Sequence, residues 1–310
     1  MQYFKEGRIS ERLCSLLRKN KTLLISLFVM LLWGSLFPAV KLGMKAWNIE
    51  STGDILLFAG VRFVICGGVI ALFSLKDKSS YKSARSVIFP ILMSGFFSII
   101  LHYACTYSAL GITDASKTAI LKQVGALFYV SFSFLFFKDD RFTLPKFFGA
   151  LLGFGGIVAI NSNLSGLSFN LGDLLILIAS FSSVASTVIS KNVFRTASHV
   201  TSTAISQFFG GAVLLLAGVI MGGGMGEGGI RGYLILVYIC LASIVSYLLW
   251  FSVLKNGQVS RLFIIKFAEP LFACVFGAVL LGENVLRPQY LVAFILITLG
   301  ICISHMKKES

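Results

Sequence analysis

From residue 22 to the end of the chain, apolar runs of about 20 residues alternate with short polar segments. Each run matches the length a helix needs to cross roughly 30 Å of hydrocarbon. Ten spans are predicted, at 22–43, 54–75, 87–110, 115–137, 144–163, 171–191, 201–222, 231–254, 259–282 and 287–305. Every connection is too short for a soluble domain. Residues 1–21 are polar and basic, with Ile9, Leu13, Leu16 and Leu17 on one helical face. They form either a short interfacial helix or a solvated tail. Residues 161–171, rich in Ser, Asn and Gly, are the natural joint in the chain. The expected division is a tail at 1–21, a unit at 22–163, a joint at 164–170, a second unit at 171–305 and a tail at 306–310.

The two units are copies. Laid on each other without a gap, 114–159 and 258–303 match at an offset of 144 residues. Ser116 falls on Ser260, Ile120 on Ile264, Lys122 on Lys266, and Gly156-Ile157 on Gly300-Ile301. Extended backwards, the offset pairs Tyr103 with Tyr247 and Ser108 with Ser252. A repeat holding register over three apolar segments marks an internal duplication. Five spans per copy is an odd number, so the second copy enters the membrane inverted. The expected fold is all-α and integral to the membrane, ten transmembrane helices in two inverted five-helix repeats, with a central cavity between them.

Composition agrees: 56% of residues are hydrophobic and 13% charged, against about 25% charged in soluble domains. Mean hydropathy is +0.88. The net charge of +14 sits mostly in the N-terminal tail and in the loops near 76–85, 138–146, 191–195, 255 and 307–308. The opposite loops hold Lys45, Arg231 and Arg287. That is the signature of membrane orientation, with both termini cytoplasmic in a cytoplasmic (inner) membrane, and not of a nucleic-acid face. Six cysteines without CxxC spacing read as small buried hydrophobes. Histidines scattered at His102, His199 and His305 supply no catalytic or metal cluster. No enzyme activity, metal or cofactor is expected.

Four short motifs stand out: Leu32-Trp33-Gly34-Ser35 with Pro38, Arg62-Phe63, Tyr107-Ser108-Ala109-Leu110, and Gly172-Asp173-Leu174-Leu175. On these residues each half resembles the five-helix EamA unit of the drug/metabolite transporter superfamily. Glu269-Pro270-Leu271-Phe272, running on to Leu280-Leu281-Gly282-Glu283, resembles the strongest family pattern. Two departures stand in the first half: Gly125-Ala126 lies opposite Glu269-Pro270, and Asp139-Asp140 replaces the Gly-Glu turn. The resemblance implies a ten-helix carrier with a central cavity, moving small metabolites, often outward, by alternating access.

Ionisable side chains at bilayer depth cost at least about 2.5–3.5 kcal/mol each, so they call for explanation. Arg62, His102, Lys122, Lys266 and Glu269 are in this position; Lys41, Lys117 and Arg261, nearer span ends, snorkel. Lys122 and Lys266 each lie seven residues into a span, about 10 Å deep. Inversion brings them toward the midplane from opposite sides. Thr118, Lys122, Gly125 and Tyr129 share one face of the fourth span. Two ammonium groups in one cavity favour an anion: a carboxylate, a phosphate ester or the acid end of an amino acid. The plainer alternative pairs Lys266 with Glu269, three residues on, and leaves Lys122 to snorkel or bond to carbonyls. Arg62 either faces the cavity or is a hydrogen-bonding hub, and its place in the second half falls at about Gln207. His102, Tyr103, Tyr107, Tyr247 and Trp33 either line the cavity or pack between helices.

The expected function is a secondary active exporter or exchanger of a small polar metabolite, amino-acid-like or anionic. Its partners are that small-molecule substrate, protons or a counter-substrate, and the lipid bilayer, with the carrier a monomer or homodimer. The rivals are an efflux carrier for cationic drugs and a non-transporting membrane sensor or assembly protein.

Overall fold

No water is available in hydrocarbon to satisfy backbone N–H and C=O groups, so each apolar run must close its own hydrogen bonds as a helix. The computed structural model describes residues 2–74, 78–132, 143–163, 166–167, 169–256, 266 and 268–304. Six helices there are long and apolar enough to cross a membrane unaided: Thr22–Ala46, Thr52–Ser74, Ile88–Ile112, Leu171–Val193, His199–Ile220 and Gly229–Leu254. The first belongs to a helix that runs unbroken from Gln2 to Ala46, so residues 2–21 continue the first span. The remaining four spans are shorter or broken. They are the fourth in two pieces, the fifth at Leu144–Asn161, the ninth described from Ala268 to Leu281, and the tenth at Pro288–Ser304. The first half's Asp139-Asp140 turn and most of 259–267 lie outside the described residues.

Two spans depart from regular α-helix, and both departures fall beside candidate residues. The third span runs as Ile88–Gly95, a π-helical stretch Phe96–Leu101, then His102–Ile112. A π turn adds a residue to the register, so His102 faces a direction that the preceding helix would not give it. Ser182 Oγ on the sixth span donates to the Phe97 carbonyl at 2.6 Å and fixes this stretch. The fourth span breaks at Lys122, between Ala115–Leu121 and Gln123–Phe132.

The helices pair as inverted copies must. The second span packs on the seventh, and the fifth on the tenth; the first on the eighth is matched by the third on the sixth. The offset of 144 recurs in the contacts. A β-carbon added to Gly67 would meet the Phe208 nitrogen at 2.3 Å, and one on Gly211 the Val64 nitrogen at 2.5 Å. These are one contact made twice, since Gly211 and Phe208 are the copies of Gly67 and Val64. Likewise a β-carbon on Gly156 would lie 3.1 Å from the Ala293 carbonyl, and one on Gly300 2.6 Å from the Gly149 carbonyl. The hydroxyls of Tyr103 and Tyr247, also copies, meet at 2.9 Å. Only residues beside a pseudo-twofold axis can touch their own duplicates, so this pair locates the axis. Small residues at these crossings let backbones approach, which is how helices gain contact where no hydrophobic effect drives them together.

Neighbouring glycines supply a control. Gly67→Ala and Gly211→Ala should each destabilise the protein by about 1–3 kcal/mol through overpacking. Gly68→Ala, with open space around it, should cost nothing. Thermal unfolding in detergent reads the difference, and equal behaviour at Gly67 and Gly68 would contradict the close crossing.

Candidate functional site

Between the halves lies a cavity whose water-accessible volume is about 70 Å³. Its wall takes Trp33 and Phe37 from the first span, Arg62 from the second, and His102, Tyr103 and Tyr107 from the third. The fourth and ninth spans bring Lys122 and Lys266; the eighth brings Tyr247, Trp250 and Phe251. Serine and threonine of the sixth span, Ser183, Ser186 and Thr187, complete it.

Charge in this wall is arranged across the halves. Lys122 Nζ sits 3.0 Å from Glu269 Oε1. Spacing within the ninth span points to Lys266 as the partner of Glu269; this ion pair on the carboxylate is made between spans, because the fold carries Lys122 to it. Glu269 is 1% exposed, and its Oε2 has no hydrogen-bond partner among the described residues. Gly34 makes room here: a β-carbon on it would lie 2.8 Å from the Glu269 carbonyl. Trp33 stands between the two lysines, 6.0 Å from Lys122 Nζ and 5.7 Å from Lys266 Nζ by ring centroid. Phe37 faces Lys122 at 5.1 Å and Trp250 faces Lys266 at 5.4 Å. Aromatic faces this close to ammonium groups replace part of the lost hydration through cation–π attraction.

On the third span, His102 is buried and its Nδ1 donates to the Ala179 carbonyl at 2.8 Å. A carbonyl only accepts, so Nδ1 carries a proton. Arg62, 1% exposed, donates from Nε and Nη2 to Ser243 Oγ at 3.0 and 2.6 Å, and from Nη1 to the Tyr107 hydroxyl. The cavity thus gathers eight of the eleven candidates. Glu269 stands behind the wall, in a small adjoining space it shares with both lysines. Thr118 is fully buried away from the cavity, and the side chain of Tyr129 lies outside the described residues. Trp250, Thr187 and Ser243 were not singled out from the sequence. Ser243, Tyr247 and Trp250 recur at i, i+4 and i+7, a helical face that could have been read. Among the described residues no group of His, Cys, Asp and Glu could hold a metal ion.

Beyond one end of the cavity the two halves are tied together. After Val40 and Leu110 in its wall, Lys41 Nζ donates to the Thr113 carbonyl at 2.9 Å. The ninth span ends on Gly282, whose φ of 67° suits glycine. The turn throws Glu283 back over the start of the fourth span. There its carboxylate accepts from the Ala115 and Ser116 backbone nitrogens at 2.8 and 3.0 Å and from Ser116 Oγ at 2.6 Å. A carboxylate at a helix N-terminus satisfies orphan N–H groups and meets the positive end of the helix dipole. Lys41 Nζ lies 3.8 Å from the same carboxylate, Tyr290 donates to Asp114 at 2.9 Å, and Lys117 pairs with Asp173 at 2.8 Å.

Inverted repeats that meet around a polar site inside the membrane define a multi-span membrane transporter. The chain belongs to the EamA-like transporter family, which matches it twice, over residues 20–162 and 170–306. It is 25% identical over 280 residues to a protein of Escherichia coli K12 described as "Uncharacterized inner membrane transporter YedA", covering 87% of this chain and 88% of that one. A Bacillus subtilis protein, "Uncharacterized transporter YvbV", is 24% identical over 298 residues, covering 95% and 94%. A solved crystal structure shares the fold at a TM-score of 0.65 and 19% identity, covering 92% of this chain and 96% of that one.

The ion pair makes a specific demand. Lys122→Met should destabilise the protein by about 3–5 kcal/mol, because it strands a buried carboxylate. Lys122→Met combined with Glu269→Gln should recover most of that loss. A double-mutant cycle on unfolding free energy measures the coupling, and strictly additive losses would remove the pair from the account.

Proposed function

We propose that this transporter is a secondary carrier for a small anionic or amino-acid-like metabolite, working by alternating access. The observation that carries the reading is the charge balance of the cavity. Arg62, Lys122 and Lys266 line it, and Glu269 is the one carboxylate paired there among the described residues. An anionic solute would restore neutrality. A cationic drug would have to displace Lys122 from Glu269 while facing the other two cations, which disfavours the multidrug alternative. A sensor or assembly protein would have little use for a solvent-sized space lined with charge.

Alternating access draws support from the inverted repeats and from the ties between the halves beyond one end of the cavity. The units 22–163 and 171–305 are the moving bodies, and Glu283 is the latch between them on the face away from the basic loops. By the charge bias that face is extracytoplasmic, with both termini inside a cytoplasmic membrane. Release of Glu283 from the fourth span opens the cavity outward, as an exporter or exchanger requires. Protons or a counter-substrate drive the return.

The solute class is tested by thermal unfolding of purified protein against carboxylates, amino acids, phosphate esters and cationic drugs. A ligand at 100 times its Kd should stabilise by about 2.7 kcal/mol. An anion should do so in the wild type and less in Lys266→Ala; stabilisation by cations alone would reverse the reading. The latch is tested by impermeant thiol labelling of Val40→Cys from outside intact cells, in a cysteine-free background. Glu283→Gln should raise the labelling rate several-fold, and an unchanged rate would leave Glu283 a static cap.

A further inference from the structure

Arg62 is the most deeply buried cation of the cavity wall, at 1% exposure, and its charge is permanent. A buried charge is normally met by an opposite one, since taking it out of water costs several kcal/mol. Lys122 has Glu269, Lys117 has Asp173, and Lys41 has Glu283. Arg62 has no carboxylate in ion-pair range among the described residues. Its partners are neutral: the hydroxyls of Ser243 and Tyr107, and the rings of Phe63 at 4.7 Å and Tyr103 at 5.1 Å.

The hydrogen-bond count points the same way. A guanidinium carries five N–H donors. Three are engaged, two on Ser243 and one on Tyr107, which leaves one on each terminal nitrogen. Such a pair grips a carboxylate or phosphate by two parallel bonds. Beside it lies the Tyr103–Tyr247 contact at 2.9 Å. One phenol donates to the other, and the acceptor keeps its own proton for a third group. At the 144-residue offset the second half carries Ser206 in this place, beside Gln207, buried, with neither amide atom partnered among the described residues. This cation is a feature of one half only.

We infer that Arg62 is the docking point for the substrate's oxyanion, with the spare phenol proton of the Tyr103–Tyr247 pair as an additional donor. The bound carboxylate or phosphate supplies the counter-charge that the protein withholds. Lys122, already neutralised by Glu269, takes no direct part in holding that group. Lys266 contributes attraction at longer range. The inference rests on the anionic reading above and narrows it to one end of the cavity.

The test uses full-length protein in detergent at constant ionic strength, titrated with benzoate, L-glutamate and inorganic phosphate, with affinity read from the thermal shift. Carboxylate and phosphate arms tell the two oxyanion sources apart. Arg62→Lys keeps the charge and loses the two-bond grip, so the best probe should bind at least tenfold more weakly. The double variant Tyr103→Phe with Tyr247→Phe, nearly isosteric, removes the spare proton whichever phenol carries it and should cost about tenfold even if the arginine variant folds poorly, as expected for a hydrogen bond to a charged group. Lys266→Ala should weaken binding less than either. If an anion binds the wild type and both Arg62→Lys and the double phenylalanine variant bind it equally well, the docking point is wrong while the anion reading survives. If none of the probes binds the wild type, both fall.

Discussion

Where the second and seventh spans cross, each sets a glycine against the other's backbone, Gly67 on Phe208 and Gly211 on Val64. The rest of the bundle depends on this doubled contact. It brings two inverted helices so close that only one relative position satisfies both glycines, and that position generates the pseudo-twofold axis. Once the axis exists, the other contacts follow in pairs. Gly156 and Gly300 repeat the arrangement between the fifth and tenth spans, and the Tyr103 and Tyr247 hydroxyls are left facing each other. Lipid offers no hydrophobic drive for helix association, so the shape of these crossings does the work that an apolar core does in water.

The symmetry stops at the charged groups, and function begins there. Lys122 and Lys266 are duplicates, yet only the second half carries a carboxylate between them, because Gly125-Ala126 stands where Glu269-Pro270 stands in its copy. Arg62 has a neutral counterpart in the second half. Glu283 reaches across to cap the fourth span, and the first half's counterpart of that turn is Asp139-Asp140. A duplicated scaffold carrying unequal charges gives its two ends different chemistry while keeping the same mechanics.

The spans, the repeat and the inversion were legible in the sequence because hydrophobic length and a fixed offset are properties of the chain alone. So were the intramembrane cations, since each interrupts an apolar run. What escaped depends on assembly. Spacing within the ninth span suggests Lys266 for Glu269, and nothing local reveals that Lys122, 147 residues away, reaches the same carboxylate. Ser243 has an apolar residue, Ile99, as its copy, so the repeat gave no hint that it holds Arg62. The stretch Phe96–Leu101 reads as ordinary apolar helix, because no side chain in it announces a π turn; the capture of its Phe97 carbonyl by Ser182 becomes visible only when the third and sixth spans meet.

That π stretch has a mechanical consequence. The surplus residue is a store of helical phase. If it is absorbed into α-helix, the part of the span beyond it rotates by about 100°, the angle one residue subtends. When it is handed along rather than absorbed, only the residues it passes turn, and both ends of the span stay seated in their loops. The third span can therefore turn His102 and Tyr103 within the wall like a key in a lock, with the Ser182 bond to Phe97 as the detent that holds one setting.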